Sequence, residues 1–359
     1  MPYREVYGEP LQLSHLIVGQ AITGAADGRL PLLNPACSQD IMAWLPGPLN
    51  TQQQQQLQQL HLSGSATAAE RRQQLEQTLK PWLTSQSLAL ARLRGRESGL
   101  PLAQAQHEQE ILLQWLQSIP TTLAAGTAPS THWLNSQHSA LISTFEALLK
   151  ALMAGCPVIW QPDISHAASA FVLSEALQKG LPAGMLNLVY PTAKLTDHLS
   201  WQHPPLVTAD HIRLRLTPAE SLPVAVPRIV RGVCSSLPGE RLQAVEVPAR
   251  RLPELLQRLQ KSFQSLRTGD PILSDRLDYG PLAREADLKT YLAFFEALKK
   301  GHGGQLHYGK GRMSRNSKIP DFIGDPDLGH YVWPLLWQPD SAEAPLPELP
   351  GPVLALIPV

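Results

Sequence analysis

Residues 154–190 read AGCPVIWQPDISHAASAFVLSEALQKGLPAGMLNLVY. Pro157-Val158-Ile159-Trp160 has the length and apolar character of a short buried strand. Residues 165–179 then read as a helix, Gly180-Leu181-Pro182-Ala183-Gly184 as a turn, and Met185 to Tyr190 as a second strand. Ahead of this stretch, residues 139–153 carry helical spacing and run into Gly155, which ends a helix because it tolerates a left-handed backbone. Helix, strand, helix, strand with short turns between them predicts an α/β fold built on an open parallel sheet. Right-handed crossovers then place helices on both of its faces.

Toward the N-terminus, residues 10–46 hold short apolar runs broken by Gly and Pro, suited to small strands. Thr51 opens a glutamine-rich stretch that reads as a helix ahead of a low-complexity linker, because glutamine has good helix propensity and Asn50 or Thr51 can cap it. From Thr67 to Leu93, leucines recur at helical spacing opposite Glu70, Arg71, Arg72, Glu76 and Lys80, with Pro81 placed to kink or divide the helix. Another amphipathic helix covers Leu102 to Leu116. Beyond a proline-rich stretch, the pattern predicts a helix near 222–236, a strand at 242–248 and a helix at 252–266. A loop at 268–284, a helix at 285–300, a polar loop and two late strands at about 331–336 and 353–358 complete it. The expected organisation is a first lobe at 1–217, a second α/β lobe at 218–347 and a returning strand at 348–359.

Composition narrows the function. With 43% hydrophobic and 17% charged residues, the chain has enough apolar surface to fold. Its 30 basic and 30 acidic side chains cancel, so bulk charge recruits neither nucleic acid nor an acidic membrane. The Arg pairs at 71–72 and 250–251 read as solvated helix faces. No apolar run reaches the ~18 residues of a spanning helix, and the N-terminus lacks the pattern of a secretory signal. Cys37, Cys156 and Cys234 lie far apart without Cys-x-x-Cys spacing, which indicates neither a disulfide framework nor a metal site and fits a reducing, cytoplasmic setting.

Several ordered blocks resemble the aldehyde dehydrogenase superfamily. Leu33-Asn34-Pro35-Ala36 is similar to its "NPAT", Ala69-Glu70-Arg71 to "AER", and Gly99 to Ala105 to "GKPLxEA". Ala154 to Pro162 is similar to "AGNTVVLKP", and Gly180 to Val189 to "GLPxGVLNVV". Gly269-Asp270-Pro271, Gly280-Pro281-Leu282 and Gly351-Pro352-Val353 are similar to "GDP", "GPL" and "FGPV". The resemblance implies a Rossmann-like nucleotide-binding lobe, a catalytic-type lobe and, in active members, NAD(P)-dependent aldehyde oxidation. It also implies a C-terminally truncated member, ending at Val359 just after the last motif. The segment 120–132 is too short for the family's oligomerisation hairpin, so an altered oligomer and a protein partner are expected.

That chemistry needs a thiolate, oxyanion donors, a hydride acceptor and a carboxylate base. On the family's pattern the nucleophile lies between a helix and a strand, and the alignment puts Leu242 there. Cys234, eight residues earlier, is the competing candidate. The oxyanion asparagine corresponds to His138 without gaps, or to Asn135 with an insertion. The general-base "ELGG" and the Gly-Ser turn for the cofactor phosphates have no counterpart before the 222 helix. Glu220, the nearest carboxylate, reads as a solvated charge or cap. Trp160, Gln161 and Pro162 stand at the family's "KP" cofactor contact and Glu348 at its ribose-binding glutamate. The sequence therefore predicts a pseudoenzyme with no cofactor expected, serving as a scaffold, regulatory or ligand-binding partner. The alternative is a divergent oxidoreductase that uses NAD or NADP, acting on an aldehyde or acyl thioester through Cys234.

Overall fold

The computed structural model describes residues 2–25, 27–60, 67–118, 131–136, 140–190, 212–343 and 345–359. Two compact units emerge: Met1–Leu33, Asp40–Glu97 and Ala105–Val207 form the first, and Asn34–Gln39, Ser98–Gln104 and Thr208–Val359 the second. The chain opens with α1 (Pro2–Tyr7), β1 (Leu11–Gln12), β2 (His15–Ile17), β3 (Gln20–Ile22), β4 (Leu30–Asn34) and β5 (Cys37–Leu45). It continues through α2 (Thr51–Gln58), α3 (Ala68–Ser98), α4 (Leu102–Ser118), β6 (His132–Asn135), α5 (Leu141–Ala154), β7 (Val158–Gln161), α6 (Ala167–Gln178) and β8 (Leu186–Leu188). The glutamine-rich stretch is helical, and Asn50 and Gln53 cap it reciprocally.

The first unit's five-stranded sheet has the order β3-β2-β8-β7-β6. β6, β7 and β8 run parallel, and β2 joins them antiparallel. α5 buries Leu141, Ile142, Phe145, Leu148, Leu149 and Leu152, a stripe at helical spacing in which each fully buried side chain contributes about 2 kcal/mol. It ends where expected, with Gly155 at φ +81°. Arg71 Nε donates to the Met153 carbonyl at 2.9 Å and so occupies one acceptor of that terminus.

Pro81 does not divide α3, which runs as one helix of 31 residues with the proline inside it. Leu75, Leu79 and Leu83 are buried along the same face, and their burial offsets the one backbone bond the proline removes. Near the C-terminal end of α3 a buried polar network ties the unit together. Glu97 accepts from the Ser169 amide at 3.2 Å and the Ser169 hydroxyl at 2.5 Å, satisfying donors at the N-terminus of α6. Arg94 joins it to Glu108, and Arg96 pairs with Asp40 at 2.8 Å.

The second unit follows as β9 (Ile212–Arg215), α7 (Leu222–Cys234), β10 (Leu242–Val247), α8 (Leu252–Gln264), α9 (Glu285–Lys299), β11 (Gln305–Tyr308), β12 (Leu335–Gln338) and β13 (Val353–Pro358). Its sheet has the order β11-β12-β13-β10-β9, parallel except for β11. Along β13 the side chains alternate: Leu354 and Leu356 join a core with α7 and α8, while Val353, Ala355 and Ile357 join a second core with α9. The sheet is thus covered on both faces.

Four details differ from the sequence reading. Residues 212–217, assigned to the first lobe, belong to the second unit, because β9 hydrogen-bonds to β10. The strand expected at 331–336 begins at Leu335, since Pro334 has no N–H for a ladder. The expected polar loop contains β11, whose half-buried residues pair with β12. The returning strand, set apart as 348–359, is the centre of the second sheet.

Candidate functional site

In the second unit, the connection from α7 to β10 comprises residues 235–241. Gln104 holds its start: Nε2 donates to the Cys234 carbonyl at 2.9 Å and the Asp278 carbonyl at 3.2 Å, and Oε1 accepts from the Ser236 amide at 3.0 Å. Arg241 holds its end, donating to the carbonyls of Gly351, at 2.6 Å, and Leu349. Burial pushes the Arg241 guanidinium down, and the nearby Glu348 and Asp287 carboxylates act in the opposite direction.

Cys234 ends α7 at 6% exposure within the apolar core. Burial, with a smaller effect from the Asp278 carboxylate, pushes its thiol up to about 12. Nucleophilic cysteines are instead pulled below their ordinary value. Leu242 opens β10 at 5% exposure in the same core, close against Gly232. It is a strand residue facing the α7–α8 layer, outside the 235–241 connection. Ser235 and Ser236 are the hydroxyls within that connection. Ser235 is buried, with Oγ 3.4 Å from a Glu240 carboxylate oxygen, and Ser236 is exposed.

On the opposite face of β10, a shallow pocket bordered by Gln243, Trp337, Leu349 and Val353 has room for about one water molecule. Gln243 Oε1 is buried there without a protein partner. Such a space admits no drug-sized organic ligand. Glu348 is exposed in the loop beside the pocket. Glu220 is half-buried and paired with Arg228 at 2.6 Å, in keeping with a solvated charge.

In the first unit, the carboxyl ends of β6 and β7 lie side by side, with Asn135 opposite Gln161. Trp160 is fully buried and Gln161 is 1% exposed. The Trp160 indole N–H donates to Ser136 Oγ at 3.2 Å, and Ser136 donates from both its amide and its hydroxyl to the Gln161 carbonyl, at 2.9 and 3.0 Å. His166 Nε2 stands 3.3 Å from Ser136 Oγ and accepts from the Asp163 amide at 3.3 Å. Asp163 in turn accepts from the Ser165 amide and hydroxyl, which fixes the turn into α6.

The structure therefore brings Trp160, Gln161 and Pro162 together at one strand end, next to half-buried Asn135. It places Cys234 and Leu242 in one core of the other unit. His138 and the 120–130 part of the hairpin segment lie outside the described residues. Sequence reasoning missed Ser136, His166 and Gln104. For His166 a signal existed in Asp163-Ile164-Ser165-His166, a capping pattern with the histidine at its third position. For Ser136 and Gln104 there was none, because their partners are distant in the chain.

Cys37 and Cys156 are also buried, none of the three cysteines is in a disulfide, and burial pushes the Cys156 thiol up. Among the described residues no His, Cys, Asp and Glu group is arranged to hold a metal ion, and no helix is long and apolar enough to cross a membrane.

Residues 139–207 match a family model described as the aldehyde dehydrogenase family. The fold is similar to that of HpcC from Thermus thermophilus, with a TM-score of 0.78 at 18% identity over 99% of this chain and 78% of that one. The NAD-dependent aldehyde dehydrogenase of Sinorhizobium meliloti matches with a TM-score of 0.78 at 16% identity over 100% of this chain and 79% of that chain. Aldehyde dehydrogenase C of Pseudomonas syringae, solved with NAD+ and octanal, matches with a TM-score of 0.74 at 16% identity over 96% and 79%. No curated protein matches the sequence.

Proposed function

We propose, for a chain that belongs to the aldehyde dehydrogenase superfamily by its fold and by the family match over residues 139–207, that it is a pseudoenzyme acting through binding, as a scaffold or regulatory partner. The observation that carries this reading is the state of its thiols. Every cysteine is buried, and Cys234, the one nearest the helix-to-strand connection, is held as a neutral thiol by an apolar core. A thioester route needs a thiolate that a carbonyl carbon can approach, and a core thiol offers neither charge nor access.

The fold family implies NAD or NADP, and among the described residues those at the candidate positions do not fit it. Gln161 has an orphaned amide oxygen but is already covered by protein, and the Trp160 N–H is committed to Ser136. Glu348 is exposed and can still meet a hydroxyl, yet one carboxylate does not make a dinucleotide site. The partner is a protein, and the setting is cytoplasmic, in keeping with three cysteines spaced without a disulfide framework.

Aldehyde turnover with NAD and NADP, measured on the full chain and on Cys234→Ser, tests this. The expected result is no hydride transfer in either protein. Turnover that vanishes in Cys234→Ser would instead establish a divergent oxidoreductase acting on an aldehyde or acyl thioester.

A further inference from the structure

In open α/β sheets a ligand enters at the carboxyl ends of the parallel strands, where adjacent crossovers leave a crevice. In this chain the ends of β6 and β7 are occupied from within. Ser136 sits past the end of β6 and uses amide and hydroxyl together on the Gln161 carbonyl, at 2.9 and 3.0 Å. The same hydroxyl oxygen takes the Trp160 indole N–H at 3.2 Å and lies 3.3 Å from His166 Nε2. His166 also accepts the Asp163 amide, so one imidazole ties the exit of β7 to the residue after β6. The rings of Trp160 and His166 lie 6.5 Å apart, tilted at 30°. Ser136, Trp160, Gln161 and His166 are all buried, as is Asp163.

We infer that this polar cluster is a built-in plug: Ser136, Trp160 and His166 close the carboxyl end of β6 and β7 against any ligand. The inference rests on the pseudoenzyme reading and gives it a structural cause. The donors of the cluster are accounted for, while the Gln161 amide oxygen is buried without a hydrogen-bond partner. Trp160 supplies one N–H and Asp163 another, and the single Ser136 hydroxyl proton goes to the nearer acceptor, the Gln161 carbonyl. A ligand entering here would have to break several of these bonds in a buried site, where an unpaired polar group is costly. His166 sits between the exit of β7, where it accepts the Asp163 amide, and Ser136 past the end of β6.

The test reads access directly. In Gln161→Cys, a thiol probe reports whether solvent reaches the end of β7, with the native cysteines buried as an internal reference. The expected outcome is that Cys at 161 reacts at least 100-fold more slowly than an exposed thiol. Adding His166→Ala should speed it at least tenfold at unchanged far-ultraviolet circular dichroism. Ser136→Ala is the second opening variant should His166→Ala fail to fold. Rapid labelling in Gln161→Cys alone overturns the plug, as does a folded opening variant that leaves the rate unchanged.

Calorimetry with NAD and NADP on the native chain separates this inference from the functional reading. Saturable binding with hydrogen-exchange protection at 158–168 but no turnover sinks the plug and leaves a non-catalytic protein. Turnover without protection at 158–168 sinks the functional reading alone.

Discussion

The carboxyl ends of β6 and β7 and the start of β10, the two places where the sequence reading looked for chemistry, are filled by different means. In the first unit the closure is polar: an indole donates to a hydroxyl, the hydroxyl donates to a strand carbonyl, and an imidazole that accepts a backbone amide packs against them. In the second unit it is apolar: Leu242 and Cys234 are embedded among Val233, Ile229 and Val245. A polar closure is specific, because each bond has a geometry to lose. An apolar closure is tolerant of shape but intolerant of charge, which is why the Cys234 thiol is so hard to ionise. Polar residues can fill a strand end as completely as apolar ones when they face each other.

The largest effect is expected from Trp160→Ala. It empties a fully buried indole site and strips Ser136 of a donor, at a cost of about 3–5 kcal/mol in urea unfolding. A cost below about 1 kcal/mol would mean that the cluster is loosely packed. Leu242→Ala should cost about 2–4 kcal/mol, as for a buried leucine in a well-packed core, and Leu242→Cys should show no aldehyde turnover. A gain of turnover in Leu242→Cys would return that position to the site.

Cys234→Ser places a hydroxyl in the apolar core and should cost about 1–3 kcal/mol, while Ser236→Ala, at an exposed position, should stay within about 0.5 kcal/mol. Equal costs would erase the distinction between the connection and the core beneath it. Alkylation of Cys234 in the folded state should rise about tenfold per pH unit from pH 7 to 10 with no plateau, since its thiol is pushed up to about 12. A plateau near pH 8–9 would show an ordinary, accessible thiol.

The smallest effect concerns His15, which is fully buried in the first unit with Nε2 donating to the Gly47 carbonyl at 2.9 Å and Nδ1 accepting from the Tyr190 amide at 3.2 Å. Burial holds its imidazole below the ordinary value, opposed in part by the Gly47 bond. The unfolded chain therefore binds the proton more readily than the folded one. Stability from this group is present above about pH 6.5 and is lost as pH falls below it. His15→Gln should flatten the acid side of the stability profile, and an unchanged slope between pH 7 and 5 would remove His15 as its source.

Much of the fold was legible in local pattern. The α5–β7–α6–β8 order follows from apolar runs punctuated by Gly155, Gly180 and Gly184, and each turn residue acts within a few positions of itself. β9 was harder to read. Ile212-Arg213-Leu214-Arg215 alternates as a strand should, but two arginines in four residues, on an edge with solvent on one face, look like a polar approach to the next helix. Leu242 shows the limit for the candidate site. Spacing from a motif placed it at a nucleophile position, and only the end of α7 at Cys234 and the start of β10 show which residues form the connection.

By itself the sequence determined the α/β alternation, the helix ends, the neutral net charge and the scarcity of cysteines, because these depend on neighbours in the chain or on totals. The tertiary structure alone decided whether a given side chain is reachable. Ser136 meets His166 across 30 residues, and Gln104 meets Cys234 across 130. Exposure, thiol ionisation and the satisfaction of buried donors are properties of such distant pairs, and no local period encodes them.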